Sequence, residues 1–587
     1  MSWEQGAILA VLACTLAAFV WDRWRYDVVA ITSLIASVLL GVVAPEAAFA
    51  GFSNPAVITV AAVLVITRAL GRSGAIDALA GRLIAASDSQ FVHLASLCLV
   101  GALLSAFMNN VGALALVMPL ALSTARRHGY SPGLLLMPLS FATLLGGMIT
   151  LIGTPPNLLI SDFRAEAAGE RFLLFDFAPT GLALSGAGIA YLLLIGWRFL
   201  PPGRAPPQQD GAFEVGDYVT EARVTSASPA IGLEVGRFAA GQGIIVHGVV
   251  RGGRHLFGRL EEAALQAGDI LLLEADTATL ERTIDENGLE LVERGKWEQR
   301  VDGTELSLME AVVLPDAVVQ GSSPASLDLR RRYGVNLVAA ARQGRRFEGR
   351  LRDATLGTGD VLLLEGEAAR LRAAIAALGC LPLADRGLAL EPRRSALAIA
   401  LFVVGIALAG FGLLPAAVTF TAVVVAMVLA RVVRPSQVYE SIDWPVIVLL
   451  GAMIPLGDAL LDTGTARLIG GSIVMIAGQV SPLVMLAIVL MMTMAVTPVL
   501  NNAATVVIMA PIAISIAERM GVVPDAYLMA VAIGASCDFL TPFGHHNNTI
   551  ILGPGGYRFG DFWRVGLGLD AVVIAVSLLV IPRVWPF

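Results

Sequence analysis

Charge is what this sequence has least of. Asp, Glu, Lys and Arg make up 15% of its 587 residues, against 56% hydrophobic residues, whereas soluble domains carry roughly 25% charge. An ordinary globular protein is excluded and a membrane protein is indicated. Lysine is almost missing, since Lys296 stands alone among forty basic residues. That bias reflects base composition, and a net charge of -7 spread over so long a chain offers no basic surface, so no nucleic-acid partner is expected. Cysteine is scarce too: Cys14, Cys98, Cys380 and Cys537 are scattered without CxxC spacing, which excludes a disulfide framework and a cysteine metal site. No third ligand at zinc spacing accompanies the pair His545-His546.

More than half of the charged residues fall between 201 and 394, so a soluble middle separates two apolar ends. No charge occurs from 129 to 161, from 395 to 430, or from 468 to 517. Each run exceeds the ~20 residues that cross a bilayer core. The opening MSWEQGAILAVLACTLAAFV lacks a basic leader and a clear cleavage site, and it is expected to be the first membrane helix.

The ends are copies of each other. FMNNVGALALVMPLAL at 107–122 lies on VLNNAATVVIMAPIAI at 499–514, a shift of 392; GTPPNLLI at 153–160 lies on GHHNNTII at 544–551, a shift of 391; and Pro55, Leu70 and Gly74 lie on Pro445, Leu460 and Gly464 at 390. Landmarks at nearly one offset mark a duplication. Basic residues favour the cytoplasmic ends of spans. Arg23 and Arg25 place the first loop inside, a span at 27–44 runs out, and one at 54–70 returns to Arg68, Arg72 and Arg82. Arg126 and Arg127 are also inside, so the segment 91–125 begins and ends on one side and reads as a re-entrant hairpin tipped by Asn109-Asn110. Spans at 134–160 and 178–197 complete five per half. Five is odd, so the second copy is inverted.

The middle carries its own repeat at a shift of 91, with QGIIVHGVVRGGRHLFGRL and AGDILLLE (242–274) on YGVNLVAAARQGRRFEGRL and TGDVLLLE (333–365). Its alternating apolar runs read as strands, and Gly268-Asp269 and Gly359-Asp360 as tight turns before a final strand. The expected fold is an all-α polytopic membrane protein with inverted repeats and two re-entrant hairpins, plus a cytosolic insert of two small α+β domains. The expected parts are membrane half 1 at 1–199, a proline-rich linker at 200–212, small domains at 213–298 and 299–390, and membrane half 2 at 391–587.

Irregular backbone inside a bilayer is tolerated only where it is buried or lines a cavity, so the interruptions Gly153-Thr154-Pro155-Pro156-Asn157 and Thr541-Pro542-Phe543-Gly544-His545 are informative. Freed carbonyls coordinate a small cation, while helix amino ends present amides to an anion. Asn adds a carbonyl oxygen and amide donors without charge. The competing reading of the Asn pairs is that they only cap turns. An imidazole at His545 or His546 would donate to the anion, carry a coupling proton, or only pack within the helix break.

These motifs resemble the divalent-anion/sodium symporter family, whose hairpin tips carry Ser-Asn-Thr and whose broken helices carry Gly-Thr-Pro-Pro-Asn, over most of both membrane halves. The resemblance implies one sodium site at Ser105, Asn109, Asn110 and Gly153 and another at Thr497, Asn501, Asn502 and Gly544. It implies an anion held by Asn109, Asn110, Val111, Thr154 and Pro155 on one side and Asn501, Asn502, Ala503, Thr541, Pro542 and His545 on the other. Val111 and Ala503 replace the family's threonines, so both hydroxyls that would bind carboxylates are gone and sulfate stands beside di- and tricarboxylates as substrate. The family further implies elevator-type sodium symport, a homodimer and the inner (plasma) membrane. The insert resembles the C-terminal module of regulator-of-potassium-conductance domains, ending in Gly-Asp-x-Leu-Leu-x-Glu, and implies cytosolic regulation with a nucleotide as candidate ligand, although no glycine-rich phosphate loop is present. The alternatives are a cation/proton antiporter, for which Asp538 and the two histidines would be the ionisable groups, and a ligand-gated channel or receptor. No catalytic constellation points to an enzyme.

Overall fold

The computed structural model describes the chain except at residues 22, 72–88, 201–216, 227, 243, 252–253, 256–262, 277–282, 284–285, 292–305, 315–316, 328, 343–344, 347–354, 383–391, 499 and 543. The proline-rich linker beyond Leu200 and the boundary at 298–299 lie outside the described residues, as do Arg72, Arg82 and Phe543. Two compact units are present: Met1–Arg204, Val312–Ala317 and Leu381–Phe587 form one, Ala205–Ala311 and Val318–Cys380 the other.

The first unit is helical and apolar, the build of a polytopic membrane protein. Its helices recur at the shift read from the sequence. Trp3–Trp21 is matched by Pro392–Gly410, Tyr26–Leu39 by Ala416–Leu429, and Pro55–Gly71 by Trp444–Asp462. Then Gln90–Ser105 is matched by Pro482–Val496, and Asn110–His128 by Asn502–Met520. In each copy the first Asn of the pair, Asn109 or Asn501, ends the short link between these two helices and the second begins the next helix, and the two helices so joined pack on each other.

Where the sequence suggests one span at 134–160, the chain forms two shorter helices, Gly133–Gly147 and Pro155–Ala168. Their counterparts are Asp525–Gly534 and His546–Leu552. Each interruption is longer than the Pro or Gly motif alone. Among the described residues three helices, Trp444–Asp462, Asn502–Met520 and Phe559–Val584, are long and apolar enough to cross a membrane, and twelve shorter apolar helices accompany them. Asn502–Met520, expected as one limb of a hairpin, is thus of spanning length.

The halves interlock. Pro155–Ala168 packs against Asn502–Met520, and His546–Leu552 packs against Asn110–His128, so each broken helix meets the return helix of the opposite copy. At one end Arg164 donates through Nε and Nη2 to both oxygens of Asp525, each at 3.0 Å. Charge-assisted bidentate pairing of this kind is directional as well as strong.

The middle of the chain forms two five-stranded sheets of one topology. The first runs Arg254–His255, Ile245–Arg251, Ile270–Asp276, Asp217–Val224, Leu289–Leu291. The second runs Arg345–Arg346, Val335–Arg342, Val361–Glu367, Leu306–Val313, Cys380–Pro382. Both carry a register shift at the same place, between Val246 and Gly248 and between Leu337 and Ala339. Gly268 and Gly359 adopt φ of 89° and 81° at the expected turns, a region open to glycine at no steric cost. The strand that follows each turn is not the last, because Leu289–Leu291 and Cys380–Pro382 add an edge.

The aspartate of each turn is buried, 1% exposed, and its charge is met by an arginine on the neighbouring strand. Arg251 donates to both oxygens of Asp269 at 2.8 Å, and Arg342 does the same to Asp360 at 2.8 Å. Hydrogen bonding to the carboxylate raises each guanidinium above its ordinary pKa. Arg251 and Arg342 are themselves 91 residues apart, so the repeat extends to a charge pair that the turn motif alone did not disclose.

Candidate functional site

The two Asn of each tip have different duties. Asn109 and Asn501 are helix caps: Val111 N–H donates to Asn109 Oδ1 at 3.2 Å, and Ala503 N–H donates to Asn501 Oδ1 at 2.8 Å. A side-chain oxygen here satisfies an amide that the first helical turn leaves unpaired. Capping therefore accounts for one member of each pair. The other members, Asn110 and Asn502, are the first residues of their helices and are aimed elsewhere.

Asn110 is buried, 2% exposed, and its side chain lies against Gly147, where a Cβ would overlap it. Ser105 Oγ donates to Asn110 Oδ1 at 2.7 Å. Gly153 closes against the Gly147 carbonyl, again with no room for a side chain. Of the residues expected at the first cation site, Ser105, Asn110 and Gly153 thus gather around Gly147, while Asn109 turns to its cap.

The second copy builds the same arrangement from different atoms. Asn502 and Thr497 stand beside Asp538, and Gly544 faces the Asp538 carboxylate, with Oδ1 3.0 Å from where a Cβ would be. Thr497 Oγ1 donates to the Ala535 carbonyl at 3.0 Å. Asp538 lies 391 residues after Gly147.

One device holds each break open. Asn157 Nδ2 donates to the carbonyls of Gly147 at 3.2 Å and Thr150 at 2.9 Å. Asn548 Nδ2 donates to those of Asp538 at 2.6 Å and Thr541 at 3.1 Å. Backbone carbonyls that the interrupted helix leaves without partners are thereby satisfied by a side chain from beyond the break. Thr150 Oγ1 adds a hydrogen bond to the Ala106 carbonyl, tying the first break to its own tip. The sequence marked Asn157 and Asn548 only as members of the two interruptions, at matched positions of the second alignment, and assigned them no such role; Thr150 was not singled out.

The two copies are joined here. Asn547 Nδ2 donates to the Asn110 carbonyl at 3.2 Å and to Thr143 Oγ1 at 2.8 Å. Ser140 Oγ donates to Asn548 Oδ1 at 2.8 Å. The second break therefore sits directly on the first tip.

The remaining expected residues divide between open and committed. Thr154 is buried, and its hydroxyl makes no cap to the helix it precedes. Pro155 and Pro156 occupy the first two positions of that helix and lack N–H groups, so this amino end presents fewer amides than an ordinary one. Val111 is half-buried and Ala503 buried. Thr541 Oγ1 accepts from Gly544 N–H at 3.0 Å and the Pro542 carbonyl accepts from Thr549 Oγ1 at 2.7 Å, so both stabilise the turn. His545 caps His546–Leu552, its Nδ1 accepting from Asn547 N–H at 3.0 Å. That leaves Nε2 as the edge free to donate. His546 is exposed, its ring centroid 6.5 Å from that of Tyr26.

Over residues 16–534 and 476–587 the chain matches the citrate transporter family CitMHS. It is 33% identical over 588 residues to an uncharacterized transporter of Synechocystis sp., covering 97% of this chain and 96% of that protein. It is 33% identical over 620 residues to the uncharacterized transporter YfbS of Escherichia coli, covering 100% of both. Sodium/sulfate cotransporter 2 of Chlamydomonas reinhardtii is 28% identical over 390 residues, 62% of this chain and 43% of that protein. Apolar helices in two matched sets, broken at equivalent points where carbonyls and amides converge, are the construction of a transporter, and the chain belongs to the citrate transporter family.

Proposed function

We propose that this protein is a secondary active transporter that couples sodium to the movement of a divalent anion, sulfate or a di- or tricarboxylate. The observation that carries the reading is the pair of matched polar clusters, Ser105, Asn110, Gly147 and Gly153 in one copy and Thr497, Asn502, Asp538 and Gly544 in the other. Oxygen-rich clusters of hydroxyls, amide oxygens and helix-break carbonyls suit a small hard cation. The adjoining amides of Asn110 and Asn502 suit an anion, and a cation beside them offsets the cost of taking that anion out of water. The name of the Chlamydomonas relative supports sulfate and sodium; the family's description supports a carboxylate.

On this reading the copies are inverted and the tips re-entrant, both clusters lie near the membrane midplane, and the hairpins with their broken helices move against a fixed scaffold in a homodimer of the inner membrane. Residues 213–298 and 299–390 form cytosolic regulatory domains like those of potassium-conductance regulators, with a nucleotide as candidate ligand. Cation/proton antiport is the second reading, drawn from Asp538 as the ionisable group at the core.

A ligand that binds only the native state raises its stability in proportion to the logarithm of its concentration over Kd. Purified protein is expected to gain melting temperature from sulfate or citrate when sodium is present and to gain little when choline replaces it. Equal stabilisation in choline would remove sodium coupling, and no stabilisation by any anion would remove the substrate class.

A further inference from the structure

The two copies differ at one position that matters electrically. Gly147 and Asp538 occupy equivalent places, each with its carbonyl held by the amide of the asparagine beyond the break. At Gly147 the neighbouring Asn110 side chain leaves no space for a Cβ, so the first copy excludes a carboxylate by packing. The second copy places one there. Asp538 is 1% exposed; Asn502 and Thr497 lie beside its carboxylate, but among the described residues neither of its oxygens has a hydrogen bond of full geometry.

A carboxylate taken out of water without a counter-charge is strongly unfavourable, and among the described residues no basic side chain acts on it. Asp570 on helix Phe559–Val584 is the charged neighbour, of the same sign, and one of its oxygens also lacks a partner among the described residues. Around Asp538 stand neutral polar groups instead: the Thr497 hydroxyl and the Asn502 amide beside the carboxylate and, across Gly544, the Thr541 hydroxyl, the last two contributed by the tip and the break. We infer that Asp538 is an anionic ligand of a monovalent-cation site in the second copy, so that the two cation sites differ by one formal charge. The inference rests on the transport reading and deepens it. The first site gains a positive charge when filled, to be balanced by the anion. The second becomes neutral when filled, and is therefore the site whose occupancy does not require the anion.

The full-length protein in detergent, titrated with sodium against a choline background and followed by melting temperature, tests this. Asp538→Asn is expected to raise the half-maximal sodium concentration about tenfold or more, the loss of one charged ligand, while raising the melting temperature without sodium because the unpaired charge is gone. Asp570→Asn is expected to stay within about twofold of the parent in its sodium half-point, since it contributes no ligand. Should Asp538→Asn not fold, Asp538→Gly copies the residue of the first repeat and carries the same expectation. A folded Asp538 variant with the parent's sodium half-point overturns the inference and leaves the transport reading standing. A variant that melts lower both with and without sodium, its half-point unchanged, assigns Asp538 to packing and also overturns it. A parent protein that sodium does not stabilise, with anion or without, removes both.

Discussion

Replacing Asn110 or Asn502 with alanine is expected to reduce sodium-dependent anion uptake by about 100-fold while folded protein remains in the membrane. On the proposed reading each side chain touches cation and anion at once, and hydrogen bonds to charged groups contribute about 1.5–3 kcal/mol apiece, which is roughly 10- to 100-fold in affinity. The loss is distinguishable from simple destabilisation by the residue next door. Asn109→Ala and Asn501→Ala remove caps that bond Val111 and Ala503 N–H, a change costing about 1 kcal/mol of stability and leaving the neighbouring amide in place. Uptake assays with surface-expressed protein quantified in parallel separate the two. Retained sodium-dependent uptake in both Asn110→Ala and Asn502→Ala would remove the site assignment.

The second large effect concerns orientation. Arg127 and Arg519 are exposed residues near the ends of helices Asn110–His128 and Asn502–Met520, 392 residues apart. If the copies are inverted, they lie on opposite sides of the membrane. On the proposed topology Arg126 and Arg127 would set the first end inside, and Arg431 and Arg434 the inside end before Trp444–Asp462, which would then run outward so that the proposed hairpin after it enters from outside. In a background without the four native cysteines, Arg519→Cys is expected to react with an impermeant thiol reagent on intact cells and Arg127→Cys to be protected, an all-or-none difference. Equal reactivity would mean parallel repeats and would defeat alternating access as proposed.

The duplication was legible in the sequence because a membrane helix declares its length through apolar residues and its copy through landmark residues. Tyr26–Leu39 falls on Ala416–Leu429 at 390, the shift that Pro55 and Pro445 show. The turns at Gly268 and Gly359 were legible for a similar reason, since a left-handed backbone position selects glycine. Leu289–Leu291 and Cys380–Pro382 were missed because three residues are too few to display alternation.

The breaks were legible only as motifs. Gly153 to Asn157 marked an interruption, but helix Gly133–Gly147 ends well before it, since Asn157 holds carbonyls that lie seven and ten residues back. Such a bond spans the irregular segment and leaves no periodicity. The same holds for Asp538, named from the sequence only as an ionisable residue of a rival mechanism. Its significance comes from Asn502 and Thr497, which reach it from a different helix pair, and from the glycine that packing enforces at the matching position. His545 was read from the sequence as an anion donor, a proton carrier or a packed histidine; the structure adds that its Nδ1 accepts from the amide two residues on, which leaves Nε2 for the other roles.

If a sodium gradient drives anion transport through this chain as proposed, uptake into proteoliposomes containing only the purified protein will show it. With sodium high outside and low inside, labelled sulfate or citrate is expected to rise above its external concentration and to fall back when the gradient is dissipated. Mere equilibration of the anion, or accumulation driven by a proton gradient without sodium, would contradict the account.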